Sequence, residues 1–128
     1  LGVEVRVVAP PQLMTERLPD GVQAYDELEP GIDGVDVVMM LRVQLERQGK
    51  LSFPSLREYY NTFGLTRERL QRAKQGVLVM HPGPMNRGVE IASDVADDPN
   101  FSVILEQVTN GVAVRMAVLY LLGAGGAD

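Results

Sequence analysis

The 128-residue sequence contains no cysteine and no tryptophan, and it has a single histidine. Without cysteine the chain can form no disulfide, no zinc–thiolate site and no thiol nucleophile. It has no run of about 18 apolar residues, so the sequence predicts no membrane-spanning helix. A formal net charge of −5 argues against nonspecific binding to nucleic acid. These absences favour a cytoplasmic protein without membrane or nucleic-acid partners.

The residues that are present suit a folded domain, since hydrophobic residues make up 45% of the sequence. Apolar runs rich in β-branched residues predict strands, and segments of helical pattern separate them. The predicted strands are Val3 to Ala9, Asp36 to Leu41 and Gly76 to Met80, with a weak strand or loop at Val22 to Tyr25. The predicted helices are Gln12 to Arg17, Asp26 to Ile32, Thr66 (as N-cap) to Lys74, and a last helix within Ser102 to Leu122. This alternation predicts an α/β fold with a mostly parallel sheet and helices on both faces.

Two segments carry weaker helical signals. Gln48 to Leu65 is polar and aromatic and contains Pro54 and two glycines, which predicts a long connection. The pair Asn110-Gly111 is unfavourable inside a helix, which favours an ordered start of the last helix at that point.

The segment His81-Pro82-Gly83-Pro84 follows the predicted strand Gly76 to Met80. The two prolines lack backbone donors, and the glycine permits unusual dihedral angles, so the strand must end in a stiff loop. Open α/β sheets bind their ligands at the carboxyl ends of strands. The loop therefore predicts a ligand contact through its backbone carbonyls, and its tight turn favours a cis bond between Gly83 and Pro84.

Arg42 and Gln44 leave the end of the strand Asp36 to Leu41. The planar guanidinium of arginine matches a carboxylate, and the glutamine amide adds a donor beside it. An anion clamp at one strand end and carbonyl acceptors at another predict one pocket for a small acidic substrate. On residue type alone, Arg42 could equally pair with Glu46 on the following turn.

Three segments together resemble the catalytic chains of aspartate carbamoyltransferases, in that family's order and spacing. The segments are Met40 to Arg47, Met80 to Ile91 and Glu106 to Leu119. The sister ornithine carbamoyltransferases have a cysteine-containing loop where this chain has His81 to Pro84. The resemblance covers residues 1–122, which implies an incomplete aspartate-binding second domain, truncated at its N-terminus, followed by a tail at 123–128.

The resemblance implies carbamoyl transfer from carbamoyl phosphate to L-aspartate, a step of pyrimidine biosynthesis that needs no metal or organic cofactor. By motif position, Arg42 and Gln44 bind aspartate, and the backbone of Pro82, Gly83 and Pro84 contacts carbamoyl phosphate. The resemblance places no catalytic residue in this half, so the chain alone is expected to be inactive. The implied partners are the missing carbamoyl-phosphate domain, further copies in a homotrimer, and a regulatory or dihydroorotase subunit.

Two other functions stay open at this point. One is a non-catalytic carbamoyltransferase-like subunit that acts as scaffold or regulator of another pyrimidine enzyme. The other is carbamoyl transfer to a different amino acid. Among the remaining polar residues, His81 is interpreted as a hydrogen-bonded positioning residue rather than a base. Arg87 and Glu90 are expected to pair locally, and Arg115 to anchor the last helix to the loop.

Overall fold

The computed structural model describes residues 2–44 and 55–123. Along these residues, four short strands alternate with five helices. The strands are β1 (Val5–Val8), β2 (Val22–Tyr25), β3 (Val37–Met39) and β4 (Leu78–Met80); the helices are α1 (Leu28–Ile32), α2 (Leu56–Phe63), α3 (Arg67–Leu70), α4 (Ser93–Ala96) and α5 (Ile104–Gly123). None of the helices in this part of the chain is long and apolar enough to cross a membrane. The predicted α/β class is confirmed.

All strand pairing between the named strands is parallel, but it forms two separate pairs rather than one sheet. Strand β1 pairs with β2, and β3 pairs with β4. A cleft of about 430 Å³ lies between β1 and β3, lined by residues of both strands and by side chains of α2. The expectation of a single sheet is therefore not met within the described residues, and the inner edges of β1 and β3 face this cleft.

The core lies around β3 and β4, where the middle residue of each strand, Val38 and Val79, is buried. Val79 is fully buried in β4, and its backbone also bonds to the segment before α5, donating to Phe101 O at 2.8 Å and accepting from Val103 N at 3.0 Å. The core side chains come from nearly every element: Leu28, Ile32, Val38, Met40, Phe63, Leu65, Leu70, Val77, Val79, Ile91, Ala92, Val95, Ala96 and Ile104. This arrangement fixes the carboxyl ends of β3 and β4 relative to each other.

The connection predicted between Gln48 and Leu65 contains helix α2, so that prediction is wrong over residues 56–63; residues 48–54 lie outside the described residues. Ser55 caps the helix by accepting a hydrogen bond from the backbone N–H of Glu58 at 3.1 Å. At the other end, the guanidinium of Arg69 donates to the carbonyls of Tyr60 and Gly64. Both ends of a short helix are thus satisfied by side chains.

The last helix begins at Ile104, not at Asn110-Gly111 as predicted. Its first turn is fixed from outside, because Val103 is bonded to β4 and accepts from Gln107 N at 2.9 Å. A helix of 20 residues tolerates one glycine at about 1 kcal/mol, so Gly111 does not set its boundary.

The other predicted elements are present but shorter. The predicted helix over residues 12–17 is a 3₁₀ turn at Pro11–Leu13. Helix α1 tolerates Pro30 because that residue falls in the first turn, where no backbone N–H is needed. Thr66 does cap α3, accepting from Arg69 N at 3.3 Å, but the helix ends at Leu70.

Candidate substrate-binding site

The predicted site residues follow two neighbouring parallel strands. Arg42 and Gln44 come just after β3 and are exposed, and Pro82 and Pro84 come just after β4 and are also exposed. The pairing continues past the strands, since Met40 N donates to Met80 O at 2.9 Å. Both segments therefore leave the same edge of the β3–β4 pair.

A side chain that the motif argument did not single out joins the two segments. The amide Nδ2 of Asn86 donates to the carbonyl of Val43 at 2.9 Å, across 43 residues of sequence. Val43 stands between Arg42 and Gln44, and both partners of this bond are half-buried. The bond places the predicted carboxylate clamp beside the predicted carbonyl loop.

The loop itself has the backbone that its sequence predicts. The bond between Gly83 and Pro84 is cis, and Gly83 has φ +63°, a conformation that side chains other than glycine rarely adopt. Within the described part of the chain, no hydrogen bond ends on the carbonyl oxygens of Pro82, Gly83 or Pro84. These three acceptors are therefore available to a ligand.

Beneath the loop lies a buried polar cluster. His81 and Glu90 are both fully buried, and His81 Nε2 lies 3.2 Å from Glu90 Oε1. His81 Nδ1 accepts from the backbone N–H of Gly83 at 2.9 Å, and Glu90 Oε1 also accepts from the backbone N–H of Asn86. Burial raises the pKa of Tyr59, and the charge of Glu90 adds to the rise. The geometry agrees with His81 as a hydrogen-bonded residue rather than a base open to substrate.

The expected local pairing of Arg87 with Glu90 is wrong. Arg87 instead binds Asp97 with both guanidinium nitrogens, at 2.6 and 2.8 Å, and this contact holds the pKa of Asp97 below its usual range. The two residues separate because Glu90 points into the core and Arg87 lies on the surface.

The anchor of α5 to the loop also differs from the expectation. Gln107 Oε1 accepts from the backbone N–H of His81 at 2.8 Å, whereas Arg115 is exposed two turns further along the helix. A side chain of Val108 also lies 3.7 Å from the position that a Cβ on Gly83 would occupy. The first turn of α5 therefore supports the loop.

The described residues contain no group of three or more His, Cys, Asp or Glu side chains able to hold a metal ion. What the site does offer is one guanidinium, one amide and three carbonyl oxygens at one edge of a parallel α/β fold. The class is thus an α/β domain with polar groups at the carboxyl ends of parallel strands, which is where open α/β domains bind small ligands. Residues 1–122 match the family model of the aspartate/ornithine carbamoyltransferase Asp/Orn-binding domain. The chain belongs to the aspartate/ornithine carbamoyltransferases.

Curated relatives lie on the aspartate side of that family. The chain is 59% identical to an aspartate carbamoyltransferase catalytic subunit of Magnetococcus marinus, over 99% of this chain and 39% of the relative. It is also 59% identical to the corresponding subunit of Endomicrobium trichonymphae, over 95% of this chain and 39% of the relative. The chain thus spans about 39% of the length of these relatives.

Solved structures of both branches share the fold. An ornithine carbamoyltransferase of Pyrococcus furiosus matches with a TM-score of 0.71 and 26% identity, over 84% of this chain and 34% of that one. Aspartate transcarbamoylase of Trypanosoma cruzi, solved with carbamoyl aspartate and phosphate, matches with a TM-score of 0.60 and 28% identity, over 77% and 30%. The fold alone therefore does not separate the two branches, whereas the sequence identities favour the aspartate branch.

Proposed function

We propose that this chain is the aspartate-binding part of an aspartate carbamoyltransferase, which transfers a carbamoyl group from carbamoyl phosphate to L-aspartate. The observation that carries the proposal is the bond between Asn86 and Val43, which sets the Arg42–Gln44 segment beside the Pro82–Pro84 loop. A carboxylate clamp next to unpaired carbonyl acceptors suits two substrates at once, an acidic amine and a carbamoyl NH₂ group.

The reaction forms a bond between the aspartate nitrogen and the carbamoyl carbon, breaks the carbon–oxygen bond to phosphate, and releases a proton from the amine. In this proposal the Arg42 guanidinium and the Gln44 amide hold the aspartate carboxylate. The carbonyls of Pro82, Gly83 and Pro84 accept hydrogen bonds from the carbamoyl NH₂ group. Holding both substrates in register lowers the entropic barrier to attack, and closure around them excludes water.

The chain spans only about 39% of its relatives, so the rest of the proposed site belongs to the remainder of the enzyme. In the proposal, residues 1–122 are the aspartate-binding domain and 123–128 a tail, and a carbamoyl-phosphate domain supplies the phosphate contacts. The enzyme acts in the cytoplasm as a homotrimer, with a regulatory or dihydroorotase subunit as a further candidate partner.

Two observations favour this function over the alternatives. A scaffold that does no chemistry has no need of the clamp and the loop, yet the motif residues of both are present and the half-buried bond from Asn86 to Val43 joins them. Transfer to ornithine is disfavoured because the guanidinium of Arg42 suits an acidic side chain, and the chain has no cysteine in its loop.

The test is the substitution Arg42→Ala in the full-length enzyme. Losing the partner of a carboxylate that becomes desolvated on closure should weaken aspartate binding by about 2 to 5 kcal/mol, roughly 30- to 4,000-fold in KM for aspartate. Arg17→Ala is the matched control, because Arg17 is an exposed arginine in the segment before β2. An unchanged aspartate dependence in Arg42→Ala would remove Arg42 from the site.

A second test uses the 128-residue chain alone. It carries the proposed aspartate clamp but no phosphate-binding loop, so it should release no phosphate from carbamoyl phosphate in the presence of aspartate. Robust turnover by the purified chain would contradict the division of the active site between two domains.

A further inference from the structure

Among the described residues, no hydrogen bond ends on the carbonyl oxygens of Pro82, Gly83 and Pro84, so bonds elsewhere in the loop must fix the direction of these acceptors. His81 and Glu90 lie directly beneath it and are fully buried. Because His81 Nδ1 accepts from Gly83 N–H at 2.9 Å, the ring proton belongs on Nε2. Nε2 lies 3.2 Å from Glu90 Oε1 and therefore donates to it.

The same carboxylate oxygen holds the far end of the loop. Glu90 Oε1 accepts from the backbone N–H of Asn86 in addition to His81 Nε2. One buried oxygen thus fastens the chain on both sides of Pro82, Gly83 and Pro84, and it reaches Gly83 through the imidazole ring.

Glu90 is itself rigidly placed. Its carbonyl accepts from Leu65 N at 2.9 Å, and Ala92 N donates back to Leu65 O at 3.0 Å. Ile91, between these two bonds, is fully buried, as is Leu65. The backbone that carries the Glu90 carboxylate is therefore held by the core. The carboxylate can in turn hold the loop in one position.

Burial of the Glu90 side chain also destabilises the folded state. Its second oxygen, Oε2, is buried and has no hydrogen-bond partner among the residues that the structure describes. A buried carboxylate with an unsatisfied oxygen destabilises a fold compared with an apolar residue of the same shape. A role in stability alone does not account for it, whereas a role in orienting a functional loop does.

The orientation that this network imposes follows from peptide geometry. Gly83 N–H points inward to His81, and in a trans peptide the preceding C=O points the opposite way. The carbonyl of Pro82 therefore points away from the buried imidazole ring, and Pro82 itself is exposed.

We propose that Glu90 and His81 are a positioning pair that aims the Pro82 carbonyl at the carbamoyl NH₂ group, with Glu90 acting through the His81 ring. This inference rests on the proposed function for the identity of the ligand, but not for the existence of the network.

The experiment compares Glu90→Gln, His81→Asn and the double variant in the full-length enzyme. Glu90→Gln removes the charge and keeps the shape. His81→Asn keeps an acceptor near the place of Nδ1 and removes the Nε2–H that reaches Glu90. Each should lower kcat and raise KM for carbamoyl phosphate, changing kcat/KM by about 10- to 100-fold, as expected for small misplacement of a substrate contact.

Two features distinguish positioning from a general structural effect. KM for aspartate should change by less than about threefold, because the side-chain amide of Asn86 holds the clamp, whereas Glu90 bonds only the backbone N–H of that residue. The double variant should be no worse than the more severe single variant, because the two side chains act in series. Asp97→Asn is the control, since it removes an exposed carboxylate that bonds to Arg87, ten residues earlier, and that does not contact the loop carbonyls. It should leave all constants near those of the parent enzyme.

Amide hydrogen exchange over residues 81–86 separates failure of this inference from failure of the proposed function. Exchange should be faster in Glu90→Gln and His81→Asn than in the parent enzyme, and unchanged in Asp97→Asn, whichever substrate the enzyme uses. If Glu90→Gln does not fold, His81→Asn alone decides the question by the same measurement. Unchanged exchange, additive effects, or a shift in aspartate KM as large as that for carbamoyl phosphate would each overturn the positioning pair. A parent enzyme without carbamoyltransferase activity, but with the predicted exchange pattern, would overturn only the proposed function.

Discussion

Asn86 connects the two halves of the proposed site, and its substitution gives a prediction whose size follows from the structure. Its amide donates to Val43 O at 2.9 Å in a half-buried position between neutral groups. Such a bond contributes about 0.5 to 1.5 kcal/mol. Since 1.4 kcal/mol is about tenfold in affinity, Asn86→Ala should raise KM for aspartate by about 2- to 12-fold in the full-length enzyme.

Asn86→Asp should raise it further, because a carboxylate oxygen would then face the Val43 carbonyl. In both variants the backbone N–H of Asn86 still reaches Glu90, so KM for carbamoyl phosphate should change less than KM for aspartate. Asn100→Ala is the control, as it removes an exposed amide that bonds to Asp98 at 2.7 Å on another surface. Steady-state kinetics with each substrate varied in turn provides the assay. An aspartate KM within twofold of the parent value in both Asn86 variants, with normal folding, would refute the role of this bond.

Further predictions concern the fold. Gly111→Ala should stabilise the chain by about 0.5 to 1 kcal/mol, because the helix interior there has open space for a methyl group. Gly31→Ala should destabilise it by about 1 to 3 kcal/mol, because the new Cβ would lie 2.3 Å from Val8 Cγ2; urea unfolding of both variants tests the pair, and equal midpoints would contradict it. The backbone N–H of Asn100, and then Arg67, lower the pKa of Asp98, and Arg87 lowers the pKa of Asp97. Both carboxylates therefore stabilise the fold above their unfolded pKa of about 4, and this contribution is lost in acid. The free energy of unfolding should therefore be steady from about pH 7 to 5 and fall below about pH 4, less steeply in Asp98→Asn; an identical slope in that variant would argue against the assignment.

The parts of the fold that the sequence predicts are those set by local chemistry. Val22 to Tyr25 forms a strand with those limits, Thr66 caps a helix, and the bond between Gly83 and Pro84 is cis. The cap and the cis bond depend on residues within a few positions of one another, whereas the strand also needs its pairing with β1. The signal for α2 is also local, because Ser55 three residues before Glu58 is a capping pattern, but the nearby Pro54 and the aromatic residues favour a loop.

The parts that could not be predicted depend on contacts between distant segments. The start of α5 at Ile104 depends on the bonds of Val103 to β4, and these outweigh the weak helix propensity of Asn110-Gly111. At the site, the motifs identify the clamp and the loop, but the Asn86 bond to Val43 and the Gln107 bond to His81 span 43 and 26 residues. No periodicity in the sequence indicates these two contacts. A glutamate three residues after an arginine, as Glu90 is after Arg87, predicts a surface pair unless the glutamate is known to be buried.

The cleft between β1 and β3 has a consequence for how this chain behaves when it is produced alone. Each of these strands pairs on one side only within the described residues, so each presents a row of backbone donors and acceptors beside half-exposed valines such as Val5 and Val37. Unprotected strand edges of this kind are templates for edge-to-edge association between molecules. The isolated chain should accordingly associate more as its concentration rises, and a lysine in place of Val37 should delay the onset of light scattering.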